Sequence, residues 1–178
     1  ELGPGRGTLM ADILRATSKV AGFHEAMTLC LFESSDQLRV QQRETLSRYA
    51  VKWETNLIAL PDLPLFFVAN EFFDALPIHQ YQRTGDIWLE REVVIKGDEL
   101  EFSMSRKPAR IPEIFHSRHD IADGDIIEFC PDAVRICSTL STKIETHGGA
   151  GLIIDYGNWA SRGDTLQAVK GHKSIGIF

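Results

Sequence analysis

Glycine stands at positions 3, 5 and 7, just after Glu1-Leu2 and directly before a stretch, Thr8 to Thr17, whose apolar Leu9, Met10, Ile13 and Leu14 recur at spacings of three and four. Alternate glycines let the backbone turn sharply and pass close to a neighbour that a side chain would exclude. Followed by helical periodicity, they predict a tight loop feeding a helix. Three short apolar runs, Met27 to Phe32, Leu65 to Ala69 and Ala150 to Ile154, have the unbroken pattern of strands buried on both faces. Helices are expected from about Ser35 to Tyr49 and from about Asp132 to His147, the second entered through Pro131 and stopped by Gly148-Gly149, with a weak strand near Ala50 to Trp53. Strand and helix thus alternate as in an open, doubly wound α/β sheet.

The middle of the chain has a different period. From His79 to Met104 apolar and polar residues alternate, with Gly85-Asp86 and Gly97-Asp98 as turn dipeptides, which predicts an antiparallel meander. A basic linker, Arg106 to Pro112, runs on toward Asp125, and a short strand is expected at Ile126 to Phe129. The chain therefore reads as one partial domain, 1–178, with residues 79–125 as an insertion, and the meander around Trp88 as a substrate-facing element or the arm of a homodimer.

Composition narrows the function. With 19 Lys and Arg against 25 Asp and Glu, the net charge of −6 has the wrong sign for a domain that holds nucleic acid by neutralising phosphates. The most apolar segment, Leu60 to Leu76, is broken by Asp62, Asn70, Glu71 and Asp74, so no membrane span is expected and the chain reads as soluble. Cys30, Cys130 and Cys137 form no CxxC pair, and His116-Ser-Arg-His119-Asp120 has no second cluster at ligand spacing; no metal site is expected. No leader segment is visible, and both ends read as cuts within a domain.

Ligands of open parallel sheets lie beyond the carboxyl ends of the strands. Those ends carry Glu1 with the glycine loop, Glu33-Ser34, Asn70-Glu71 with Asp74, and Asp155-Tyr156, which should converge on one crevice. A dinucleotide fingerprint would need glycine at 3, 5 and 8, but residue 8 is Thr. Glu1 before the loop would repel a pyrophosphate and suits a ligand bearing an ammonium group, as S-adenosylmethionine does. Glu33 is placed to accept hydrogen bonds from ribose hydroxyls. A nucleotide-cofactor oxidoreductase is the alternative enzyme, disfavoured by the glycine spacing and Glu1.

Glu1 to Leu14, Asn70-Glu-Phe-Phe-Asp-Ala-Leu-Pro77, Glu128-Phe-Cys-Pro-Asp-Ala133, and Asp155-Tyr-Gly157 with Asp164-Thr-Leu-Gln-Ala168 together resemble the MidA-like family of S-adenosylmethionine-dependent methyltransferases, in order through almost the whole chain. The resemblance implies a Rossmann-like class I methyltransferase sheet with inserted elements, from which this chain lacks the first strand and the C-terminal part. It implies that Glu1, Gly3, Gly5, Gly7 and Glu33 bind the cofactor, and Ser34 and Asn70, at the same strand ends, are expected to bind it with them. Residues 70–77 take the position that faces the methyl acceptor, with Glu71 and Asp74, three residues apart, as the catalytic pair; in the alternative Glu71 contacts the cofactor and Asp74 caps a following helix. Phe72 and Phe73 are read as core. Cys130 stands where relatives commonly have a small hydroxyl residue. The family further implies a protein acceptor, arginine on a respiratory complex I subunit, with the bacterial cytoplasm as the place of action and the mitochondrial matrix as the alternative. A non-catalytic assembly factor on the same fold is the remaining reading.

Overall fold

A computed structural model describes residues 1–118, 120–157 and 163–178. The chain forms two compact units, Glu1–Leu76 with Asp132–Tyr156, and Pro77–Pro131 with Gly157–Phe178.

The first unit is built on parallel strands. The glycine loop leads into α1 (Thr8–Thr17), whose Met10 and Leu14 face inward one turn apart. After one helical turn, α2 (Phe23–Ala26), come β1 (Leu29–Phe32), α3 (Asp36–Thr45) and β2 (Val51–Glu54), with β1 and β2 paired in parallel from Leu29 opposite Val51 to Phe32 opposite Glu54. α3 is shorter at both ends than the expected Ser35 to Tyr49. Ser35 is its N-cap, the hydroxyl accepting from Leu38 N–H at 3.3 Å, and the chain leaves the helix at Leu46, which is buried in the core. A 3₁₀ turn (Leu57–Ala59) precedes β3 (Leu65–Asn70), which pairs in parallel over six residues with β8 (Gly149–Ile154), the strand that follows α4 (Pro131–His147). Leu2 bridges in parallel to both Phe32 and Ala69, joining the two strand pairs in the order β2, β1, Leu2, β3, β8. Met10, Leu14, Leu29, Leu31 and Leu46 form one buried cluster, and Leu2, Leu57, Ala69 and Leu140 a second. Each fully buried leucine contributes about 1.5–3 kcal/mol.

The second unit is antiparallel. β4 (His79–Thr84), β5 (Ile87–Lys96) and β6 (Glu99–Met104) are the expected meander; Gly85 and Gly97, at φ +59° and +65°, open two-residue turns that suit glycine at their first position. β7 (Ile126–Phe129) pairs with β4 on the side away from β5, giving the order β6-β5-β4-β7. Tyr81, Ile111, Ile121 and Ile127 are its buried core. A small hairpin, β9 (Ala168–Lys170) and β10 (Lys173–Ile175), completes the described chain. No described helix is long and apolar enough to cross a membrane.

Candidate functional site

The glycine loop sits between the ends of β1 and β3. Leu2 N–H donates to Val68 O at 2.9 Å and Gly3 N–H to Phe32 O at 3.1 Å, after which Gly7 N–H closes back on Pro4 O at 2.7 Å. Gly3, Gly5 and Gly7 all have positive φ, +61°, +53° and +81°. A Cβ on Gly3 would stand 2.7 Å from Cδ2 of Phe72, whereas one on Gly5 would meet nothing within 4 Å. The loop is therefore packed beneath Gly3 and open above Gly5. Gly7 is the N-cap of α1 and offers no side-chain cap to the first-turn N–H groups.

Glu33 follows β1 and is buried, with 8% of its surface exposed. Its Oε1 accepts from Ser35 N–H at 2.8 Å and its Oε2 from Gln42 Nε2 at 3.2 Å, which leaves further lone pairs for a ligand. Arg39 donates through Nε to the Glu33 carbonyl at 2.8 Å, so α3 fixes both main chain and side chain of this residue. Ser34 is exposed beside it. Glu1 Oε2 is buried with no hydrogen-bond partner. Burial pushes the Glu1 carboxyl above its usual range. An orphaned carboxylate oxygen next to an open glycine loop fits a ligand that brings its own cationic donor, as the ammonium group of S-adenosylmethionine would.

Beyond β3 the backbone is constrained. Glu71 has φ +48°, and its N–H reaches Ile154 O at 2.8 Å, which ties the turn to the end of β8. Asp74 N–H donates to Asp155 Oδ2 at 3.3 Å, and Tyr156 follows Asp155 directly. The charges of Asp74 and Glu71 push the pKa of this exposed phenol up. Glu71, Asp74, Asp155 and Tyr156 thus gather at the ends of two paired strands. The alternative of Asp74 as a helix cap is corrected: residues 71–76 form turns, and the next element is β4. Phe72 packs edge-on against Phe32 and Phe73 at 6.2 and 5.2 Å between ring centroids, the core role expected of the pair.

Glu1, the glycines, Glu33, Asn70, Glu71 and Asp74 all lie at the carboxyl ends of adjacent strands of one sheet, as the sequence predicts. Gln42 and Trp53 were not among the expected site residues. The signal for Gln42 was its spacing: it stands four residues from both Leu38 and Leu46, a polar residue in the middle of an inward apolar stripe. A groove of about 680 Å³ runs along β1, β3 and β8, lined by Leu29, Leu65, Phe67, Leu140 and Leu152 and reaching Glu1. No group of three metal-ligating side chains occurs among the described residues; His119 of the His116 to Asp120 segment lies outside them.

Comparison with known proteins agrees with the fold. The family described as "Putative S-adenosyl-L-methionine-dependent methyltransferase" matches residues 1–178. The chain is 35% identical over 97% of its length to protein arginine methyltransferase NDUFAF7, mitochondrial, of Mus musculus, and 34% identical over the same share to that of Homo sapiens; it covers 45% of each. It spans less than half the length of these curated relatives. A crystal structure of a COG1565 superfamily member from Burkholderia thailandensis, bound to S-adenosyl-homocysteine, superimposes with a TM-score of 0.66 at 26% identity, covering 88% of this chain and 41% of that one. From the parallel sheet, the glycine loop and these matches together, the chain belongs to the family of S-adenosyl-L-methionine-dependent methyltransferases.

Proposed function

We propose that this chain carries the cofactor-binding part, and one wall of the acceptor site, of an enzyme that methylates an arginine side chain of a partner protein. The observation that carries the reading is the double bridge of Leu2 to Phe32 and Ala69, which seats the glycine loop between Glu33 on one side and the Glu71 turn on the other. In this reading Gly3, Gly5 and Gly7 shape the cradle, Glu1 receives the cofactor's ammonium group, and Glu33, with Ser34 beside it, receives the ribose hydroxyls. Asn70 lines the end of β3 between the two halves.

The bound cofactor supplies an electrophilic methyl group on a sulfonium. A guanidinium, protonated at neutral pH, is a poor nucleophile until carboxylates orient it. Glu71 and Asp74 would hold it from one turn and align one nitrogen for in-line attack. The same carboxylates receive the proton that the methylated nitrogen sheds. Support for arginine comes from the curated relatives, named protein arginine methyltransferases. A respiratory complex I subunit as acceptor follows from the MidA-like resemblance. The mitochondrial names of those relatives support action in the mitochondrial matrix, the alternative to the bacterial cytoplasm of the first expectation.

Calorimetry on the full-length protein should show binding of S-adenosylhomocysteine and none of NADH; the reverse result removes the reading. Asp74→Asn keeps size and removes charge. It should lower methyl transfer into lysate protein at least 100-fold while the Kd for S-adenosylhomocysteine stays within twofold. Unchanged transfer would falsify the acceptor role of Asp74.

A further inference from the structure

We propose that Gln42 is a positioning residue that sets the distance and orientation between the glycine loop and the ribose-binding acid; the proposal rests on the S-adenosylmethionine reading of the site. Gln42 is fully buried on α3. Its Nε2 donates to Gly5 O at 2.7 Å and to Glu33 Oε2 at 3.2 Å, and its Oε1 accepts from Trp53 Nε1 at 2.8 Å.

The partners leave the amide one orientation. An indole N–H only donates, so it must meet the amide oxygen; a carbonyl and a carboxylate only accept, so they must meet the NH₂. Both N–H protons are then committed, one to the loop and one to Glu33. A single planar group ties together two parts of the site that come from different strand ends. The bond also turns the Gly5 carbonyl inward, and because a trans peptide points its N–H opposite to its C=O, the Arg6 N–H is turned away from the interior. The loop thereby shows a donor, and not a carbonyl oxygen, to the carboxylate of an incoming amino-acid ligand. Trp53, on β2, holds the amide in that orientation, and Arg43 in turn lies over the Trp53 ring at 5.0 Å from its centroid.

The test uses the full-length protein and S-adenosylhomocysteine. Gln42→Met keeps chain length and removes all three hydrogen bonds; Kd should rise at least tenfold at a temperature where the variant is folded. Leu14→Ala, an equally buried change in the neighbouring core, should lower the melting temperature and leave Kd within twofold. Trp53→Phe, which removes the orienting donor and keeps an aromatic ring, should weaken binding about threefold. In protein labelled with ¹⁵N-tryptophan, the Trp53 indole N–H signal, identified by its loss in Trp53→Phe, should shift on adding ligand to the wild type and stay still in Gln42→Met. A purely structural glutamine would not couple that signal to the ligand. Kd within twofold of wild type in Gln42→Met overturns the proposal. Should that variant not fold, unchanged Kd in Trp53→Phe does the same. A wild type that fails to bind S-adenosylhomocysteine removes the functional reading itself, an outcome seen before any variant is made.

Discussion

Gly3 and Gly5 are alike in sequence and in φ, yet the fold asks different things of them. At Gly3 a methyl group would press on the Phe72 ring at 2.7 Å, and that ring is wedged between Phe32 and Phe73. At Gly5 there is open space, so only the left-handed backbone resists a side chain. Gly3→Ala should therefore cost about 2–4 kcal/mol of unfolding free energy, backbone strain plus overpacking. Gly5→Ala should cost about 1–2 kcal/mol, the strain alone. Denaturant unfolding of the two variants gives the comparison; equal losses would show that Phe72 yields freely. Binding should separate Gly5 further, since a bulkier Gly5→Val puts its side chain on the face where the cofactor is proposed to lie.

At the level of elements, two pairings carry the architecture. β8 begins at Gly149, where φ is +126° and a Cβ would lie 1.9 Å from the Leu65 carbonyl oxygen, a backbone atom that cannot step aside. Glycine at this position is what lets β8 start in register with β3. In the antiparallel unit the segment after β8 is held by a polar cluster: Gln80 Nε2 donates to Glu128 and Asp164 at 2.7 and 2.8 Å, Glu128 accepts from Thr165 N–H at 2.9 Å, and Arg91 pairs with Asp164. Burial acts to raise the Asp164 pKa, but the hydrogen bonds from Arg91, Gln80 and Leu166 N–H outweigh it, and the carboxyl titrates below its usual range. A carboxyl depressed in the folded state stabilises it above the unfolded pKa, near 4, and loses that contribution as pH falls through the folded value. Asp164→Asn should thus lower stability at pH 7 by about 1–2 kcal/mol, given partial exposure, and flatten the acid limb below pH 4. Urea midpoints from pH 7 to pH 3 measure both effects, and parallel curves for wild type and variant would count against them.

Over the whole molecule, apolar burial is divided between units that have separate cores. Every residue proposed to touch the cofactor belongs to the unit of parallel strands, whereas Ile127 lies in the core of the other. Ile127→Ala should cost about 2–4 kcal/mol locally and speed amide exchange in β4 and β7. The Kd for S-adenosylhomocysteine should not change. A tenfold loss of affinity would show that the antiparallel unit shares in binding the cofactor.

Sequence alone determined the local elements, because each rests on short-range rules. Unbroken apolar runs gave β1, β3 and β8, alternation with Gly85 and Gly97 gave the meander, and glycine before helical periodicity gave the loop and α1. It also determined that acids end the strands, and so where a ligand should lie. Tertiary structure decided which strands are neighbours: nothing local says that Leu2 lies between β1 and β3 or that β7 pairs with β4, since both contacts join residues far apart in the chain. It turned the segment after Asn70 into turns held by Ile154 and Asp155 where a helix was one expectation, because that backbone is satisfied from β8 and its continuation and not from its own sequence. It also gave Gln42 its role, for a buried amide has a function only once its three partners, from a loop, a strand end and another strand, have been brought around it.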